Sequence, residues 1–410
     1  MQPAESDVAE LEARLARYPA DRYPAQHATA AFHLGAVHLQ QARVAEALTA
    51  LSVAHDSFAR IGMRLEQAKA QMMQGVALRS AGRDEQARSA FETAIELFAE
   101  LGSPLEEAAA TYNLGLVVRD LADAVESGQA FARAHELFAQ NGQLAQAGAA
   151  AREYATSLLT QGSLDAARPM LELAYELAMK VGDAPGLGGA ANALGLLHLA
   201  QDDPAAATRS FLDAIGAHPR SLRPAEYAMG KANLALARER AGDVADARLA
   251  ALQAIGTPGA DAPVIEQARQ LLARVGPGTG DELSTVLAAQ PTERWAPIVR
   301  DEVLRWVDAE PPVRSAAARG WIAGQLGSAG RAHDLAETLL GVVLELPPAA
   351  YEEVIAAVLR AVAELPEDDA EQFRAGIRSG MARYPIPQWQ RMSASFERAA
   401  AEFGAPTGWS

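Results

Sequence analysis

Eight histidines, 52 carboxylates and no cysteine bound the chemistry open to this chain. Without cysteine there is no thiol nucleophile, no zinc–thiolate site and no disulfide framework. The histidines are His27, His33, His38, His55, His135, His198, His218 and His333, and none stands in a His-Glu-x-x-His or other zinc spacing. His33 and His38 are five residues apart, a poor match to one helical face. Each reads as a packed or half-buried ring, so neither a metal nor a cofactor is expected. The run Gly276-Pro277-Gly278-Thr279-Gly280 superficially suggests a phosphate loop. It lacks the Gly-Lys-Ser/Thr ending and follows no predicted strand, so it reads as a linker. Neither a Gly-x-Ser-x-Gly elbow nor a Ser-x-x-Lys occurs. The acidic pairs Glu106-Glu107, Asp202-Asp203, Glu352-Glu353 and Asp368-Asp369 fall in predicted N-terminal turns of helices. Carboxylates there complement the helix dipole, a structural role rather than general acid–base work. With no catalytic constellation, the chain is expected not to be an enzyme.

The elements that would position any binding residues are set by a repeat. Gly35, Gly75, Gly115, Ala155, Gly195 and Ala235 are spaced 40 residues apart. Twelve residues after each stand Ala47, Ala87, Ser127, Ala167, Ala207 and Ala247. Sixteen after come Leu51, Phe91, Phe131, Leu171, Phe211 and the weaker Ala251, and nineteen after come Ala54, Ala94, Ala134, Ala174, Ala214 and Ala254. Gly62, Gly102, Gly142 and Gly182 keep the same period, and Gly82, Gly162 and Gly242 lie halfway. Each unit reads as a helical hairpin whose small residues let two helices approach closely. The Gly62 series falls where a helix takes a left-handed residue after its last turn. Pro104, Pro185 and Pro204 sit near predicted helix starts.

These residues resemble the tetratricopeptide repeat. The small residue at the eighth position, Ala at the twentieth, the aromatic at the twenty-fourth and Ala at the twenty-seventh fit that pattern over roughly residues 25–256. The period is 40 rather than the usual 34, so each helix should be longer by about a turn. The eleventh position, usually aromatic, carries His38, Leu78, Val118, Leu158, His198 and Arg238. The longer period and the Asn113-Leu114-Gly115 text are similar to the repeats of kinesin light chains, of Pins-type adaptors and of some bacterial sensor regions. The resemblance implies an all-α, right-handed superhelical solenoid of antiparallel hairpins, with the first helix of each pair lining a concave groove. It places Phe32, Leu39 and Gln40 in that groove, then Lys69, Met72, Val76 and Arg79, then Tyr112, Leu116, Arg119 and Asp120. Arg152, Asn192, Leu196, Glu239 and Arg240 follow. A groove carrying Lys69, Arg79, Arg119 and Arg152 beside Met72, Tyr112 and Leu116 would bind an acidic, extended or helical peptide segment. The alternative is that these cations pair with neighbouring carboxylates or lie along helix surfaces.

The ends differ. Residues 1–24 read as a capping helix, with Asp7 and Glu10 at capping-box spacing. Residues 25–256 are six hairpins, 257–280 a linker with one helix, and 281–410 an all-helical module of degenerate repeats. In that module Gly320, Ala332, Ala336 and Leu339 repeat the hairpin offsets. All five tryptophans lie there: Trp295, Trp306, Trp321, Trp389 and Trp409. Trp295, Val299, Val303 and Trp306 form one stripe, read as core, the alternative being an aromatic surface for a partner or for self-association. Trp409, near the C-terminus, is expected to be exposed or unstructured.

Composition limits the partners. Alanine accounts for 93 of 410 residues, and only three of the 36 basic residues are lysine, as in a GC-rich bacterial coding background. The net charge of −16 disfavours nucleic acid and anionic membrane. Neither a signal-peptide pattern nor an apolar run of ~18 residues is present, so a cytoplasmic protein is expected. A protein-binding scaffold or adaptor is the function this implies. The alternative is a peptide- or ligand-responsive bacterial regulator whose C-terminal helices transmit the signal, although no basic helix-turn-helix accompanies it.

Overall fold

The computed structural model describes residues 3–278 and 280–409. Thr279, within the Gly276–Gly280 run, lies outside the described residues. Among the described residues there are 21 α-helices and no strand, so the fold is all-α. A leading helix, α1 (Pro3–Arg17), comes first. The first helices of the repeats are α2 (Pro24–Gln40), α4 (Arg64–Ser80), α6 (Pro104–Asp120), α8 (Leu144–Thr160), α10 (Ala184–Ala200) and α12 (Pro224–Ala241). The second helices are α3 (Val44–Ile61), α5 (Asp84–Glu100), α7 (Ala124–Gln140), α9 (Leu164–Val181), α11 (Pro204–Ala217) and α13 (Val244–Ile255). Both sets start at steps of 40 residues, which is the sequence period. The chain forms two compact units, Met1–Gln201 and Asp202–Ser410. The division falls within the fifth repeat, between α10 and α11, rather than in the loops around residues 256–280.

In the first unit each helix packs on the next along the chain, from α1 to α10. Close approach explains the small-residue series. A Cβ on Gly75 or Gly115 would stand 2.8 Å from the ring of Phe91 or Phe131, and one on Gly35 would stand 2.6 Å from Leu51. Those large partners, and the Ala47 and Ala54 series beside them, are almost wholly buried. From Ala42 to Asp202, links between helices turn on a left-handed residue every 20 positions (Ala42, Gly62, Gly82, Gly102, Ala122, Gly142, Gly162, Gly182 and Asp202); the α11–α12 link breaks the series and Gly242 resumes it. The N–H of the following residue reaches back to the last helical turn, as Arg43 does to His38 and Met63 to Phe58, closing a Schellman motif. Ala122 holds this conformation at φ 65° without the freedom of glycine. Asp7 lies inside α1 rather than at a cap, and Glu10 there pairs with Arg14 at 2.6 Å.

The second unit begins with α11–α13 and adds α14 (Ala262–Val275), which packs on both α12 and α13. Then follow α15 (Glu282–Ala288), α16 (Trp295–Asp308), α17 (Pro311–Gly327), α18 (Ala332–Leu344), α19 (Pro348–Ala363), α20 (Glu367–Met381) and α21 (Ile386–Phe403). Here the packing rule changes. Helices α15 to α19 each pack mainly on the next helix but one, building two alternating layers. The expected hairpin of Gly320 with Ala332, Ala336 and Leu339 is therefore not formed. Gly320 is needed elsewhere, since a Cβ there would stand 1.7 Å from the Gly280 carbonyl oxygen; Gly324 of the same helix faces Ser284 of α15. Helix links explain the change. Glu310, Pro347, Pro366 and Pro385 enter their helices with φ −55 to −60° and ψ 148 to 149°. An extended residue sends the next helix onward, whereas a left-handed one folds it back. The Glu352-Glu353 pair lies in the interior of α19, not in its first turn.

The close contact at Gly115 gives a direct test. Gly115→Ala should destabilise the chain by about 1–3 kcal/mol through overpacking against Phe131. Adding Phe131→Leu recreates the Ala155–Leu171 pair of the fourth repeat. In urea unfolding the double variant should be less destabilised than the sum of the two single changes.

Candidate partner-binding face

The predicted groove residues fall on first helices of the first unit. Lys69, Met72 and Arg79 form one stripe on α4, with Val76 inside it, and Tyr112, Leu116 and Arg119 repeat the stripe on α6. Arg152 lies on α8 and Asn192 on α10. Helix α4 touches both α2 and α6, so the first two stripes adjoin. Lys69, Met72, Arg79, Tyr112, Leu116 and Arg152 are half-buried and Arg119 is exposed. Met72 also packs into the apolar clusters beneath, around Phe98 and Phe91. Asn192 is corrected: at 8% exposure it sits in the packing face of α10, where its side chain offers little to a partner.

Each of the four cations has a carboxylate partner. Lys69 Nζ lies 3.5 Å from Glu106, and Arg79 Nε donates to Asp120 at 2.7 Å. Arg119 and Arg152 both donate to Glu153, at 2.6 and 2.8 Å. Three of these pairs join one first helix to the next, so the alternative weighed from sequence, pairing with neighbouring acids, describes all four. Glu153 was not singled out in the sequence, although Arg119 and Glu153 are 34 residues apart, close to one repeat. Gly189 was missed too. A Cβ there would stand 2.2 Å from Arg152 Nη1, so the glycine makes room for the guanidinium. Tyr112 packs edge-on against Phe131 at 5.3 Å. Burial first, and then the Glu153 carboxylate, push the Tyr112 phenol up, while Arg152 and Arg119 oppose the rise.

Three of the histidines sit in or against the packed helices. His27 and His135 have Nδ1 within 2.9 Å of the carbonyl oxygens of Tyr18 and Ala147. His38 is buried, and its Nδ1 has no hydrogen-bond partner among the described residues. Burial, and then Arg43, lower its pKa.

Trp295, Trp306, Trp321 and Trp409 form core rather than surface, and Trp389 packs half-buried against that core. Trp295 and Trp306 are each 1% exposed, so the second binding surface proposed for them is not there. Trp306 Nε1 donates to Glu302 at 2.8 Å, and Arg305 Nε donates to the same carboxylate at 2.9 Å. Trp409 is also corrected. It is fully buried, packs on Phe396 at 5.1 Å, and its backbone N–H donates to Glu397 at 2.6 Å.

A second polar cluster, unforeseen from sequence, lies in the second unit. Lys231 Nζ donates to Gln253 at 2.8 Å and Asp301 at 2.6 Å, while Arg220 pairs with Asp308 at 2.8 Å. These pairs fasten the last repeat and its preceding link to α16. Burial, with Asp301 nearby, pushes the phenol of Tyr227 strongly up.

No family model matches the chain. No curated protein matches it either. Solved structures do align. BtubC (BKLC) from P. vanneervenii is 15% identical, with 68% of this chain and 95% of that chain covered and a TM-score of 0.40. The apo form of RapI is 14% identical, over 67% of this chain and 94% of that one, with a TM-score of 0.49. NprR in complex with its cognate peptide NprX is 12% identical, over 73% and 92%, with a TM-score of 0.42. At these values the likenesses assign neither a family nor a ligand to this chain.

Two outcomes follow from the geometry. Glu153→Ala leaves two solvent-accessible guanidiniums without their shared acceptor and should cost only about 0–1 kcal/mol per pair in chemical denaturation. His38 has its effect on acidification. Its folded pKa lies below the unfolded value of ~6.5, so the unfolded chain takes up the proton first. Stability present above the unfolded value is then lost progressively as pH falls towards the folded one. Thermal unfolding between pH 7 and 5 should show this loss, and His38→Leu should make the profile shallower.

Proposed function

We propose that the chain is a non-enzymatic scaffold of tetratricopeptide type. It holds a segment of a partner protein on the first-helix face of its first unit, and the segment is acidic. One observation carries this reading. In the Arg119–Glu153 pair the arginine side chain is 42% exposed and the glutamate 12%. The carboxylate is the inner member, and the guanidinium faces out with donors to spare. A guanidinium has five N–H donors, so an incoming carboxylate can share Arg119 without expelling Glu153. Half-exposed Met72, Tyr112 and Leu116 supply apolar contact beside it.

A second reading, a sensor whose C-terminal helices transmit a ligand signal, is favoured by the Lys231–Asp301 and Arg220–Asp308 pairs. They couple α16 to the last repeat, so a shift of that repeat would be felt by the C-terminal layers.

Affinity capture from the source cells, read by mass spectrometry, tests the first reading. Arg79→Glu with Arg119→Glu should abolish recovery of the main partner and leave the helical circular dichroism unchanged, because exposed pairs contribute little to stability. Unchanged recovery would overturn it.

A further inference from the structure

Resting on that reading, we infer that the end of the same face formed by α1, α2 and α4 is an anchor site. It takes one large apolar side chain carried within an acidic peptide segment. A cavity of about 180 Å³ opens between α2 and α4, with Phe32 and Phe58 as its apolar wall and Thr29, His33, Glu66 and Lys69 around it. Phe58 is 2% exposed, so the wall is continuous with the core, and Phe32 packs edge-on to His33 at 5.7 Å. Thr29 and His33 also line a larger cleft of about 660 Å³ between α1 and α2, bordered by Glu10, Arg14 and Arg17. The two spaces adjoin across Thr29 and His33: an apolar socket sized for a side chain, and a longer cleft that could take flanking residues.

Charge complementarity selects the occupant. Arg14 is paired with Glu10 and Lys69 with Glu106. Arg17 differs: among the described residues it has neither an ion pair nor a hydrogen bond. It is a free guanidinium at the rim of a cleft in a chain of net charge −16. Such a local field draws in a carboxylate and rejects a basic segment. The aromatic wall supplies the buried anchor around which peptide interfaces concentrate their affinity.

The test uses the full chain and fluorescein-labelled, amidated heptapeptides of Asp and Glu with Phe, Leu or Ala at the centre, read by fluorescence anisotropy. The Phe and Leu peptides should bind at least ten-fold tighter than the Ala peptide. Phe32→Ala should erase that preference. Thr29→Trp, a change at an exposed position that fills the socket, should do the same without disturbing the core. Arg14→Glu with Arg17→Glu should weaken all three peptides at least ten-fold. A preference that survives the socket variants, unchanged affinity in the charge-reversed variant, or no binding by the wild-type chain each overturns the anchor. The scaffold reading is scored separately. Partner capture that still depends on Arg79 and Arg119 leaves it standing when the anchor fails, and loss of that dependence removes it whether or not these peptides bind.

Discussion

The distance between paired helices is the quantity on which the repeat array depends. Glycine or alanine on the first helix leaves room for a Leu or Phe of the second, and the gap is filled by that one side chain. The tight approach at Gly35, Gly75 and Gly115 shows how little slack remains. Repeating one distance at a constant period gives every neighbouring hairpin the same seat, so a local packing rule becomes a long-range order. It also accounts for the composition. Much of the alanine in the first 256 residues is positional, since the Ala47 and Ala54 series are buried where a larger side chain would push the helices apart.

The ion pairs obey the same rule from outside. When each first helix sits one period from the next, a cation meets an acid about one period later in the sequence, as Arg79 meets Asp120 and Arg119 meets Glu153. Such half-exposed pairs contribute roughly 0–1 kcal/mol each. They are too weak to hold the stack, and weak enough that a ligand can enter the pairing without a large loss. The pair at Lys231 is of another kind. Its side chain is 8% exposed, and burial of one charge makes the loss of its partner costly, several kcal/mol in comparable settings. The chain thus keeps adjustable charge on the first-helix face and fixed charge where the last repeat meets α16.

Sequence made legible what is periodic. The buried small residues and the glycine links were visible as spacing, because each depends on neighbours one repeat away, whereas the left-handed Ala42, Ala122 and Asp202 carry no residue-type signal. The pairing of the groove cations was visible in principle by the same spacing. Pairing with neighbouring acids was weighed as the alternative, but the particular partner Glu153 does not stand out, because it lies across repeats and not within the same helix. The C-terminal layers were not legible. There the contacts join a helix to the next but one, and the offsets of Gly320 and Ala332 imitate a hairpin while Gly320 in fact meets the backbone at Gly280. Trp409 shows the same limit. Its position near the end suggested exposure, but Glu397 and Phe396 hold it down, and neither contact leaves a periodic trace.

These differences say where along the first unit recognition is strongest. A repeat in mid-array has a first helix flanked by two others, and its cations are engaged by acids of the following repeat. The first repeat, α2 and α3, has a different neighbour. Its outer neighbour is α1, which is amphipathic and packs on α2 through Leu11 and Leu15. That contact buries the apolar side of α1 and leaves Arg17, with the Arg14–Glu10 pair, along the cleft. Among the described residues, Arg17 therefore stands without a carboxylate partner at the rim of the cleft between α1 and α2. Cations are thus engaged by acids along α4, α6 and α8, while beside α1 one guanidinium is left over.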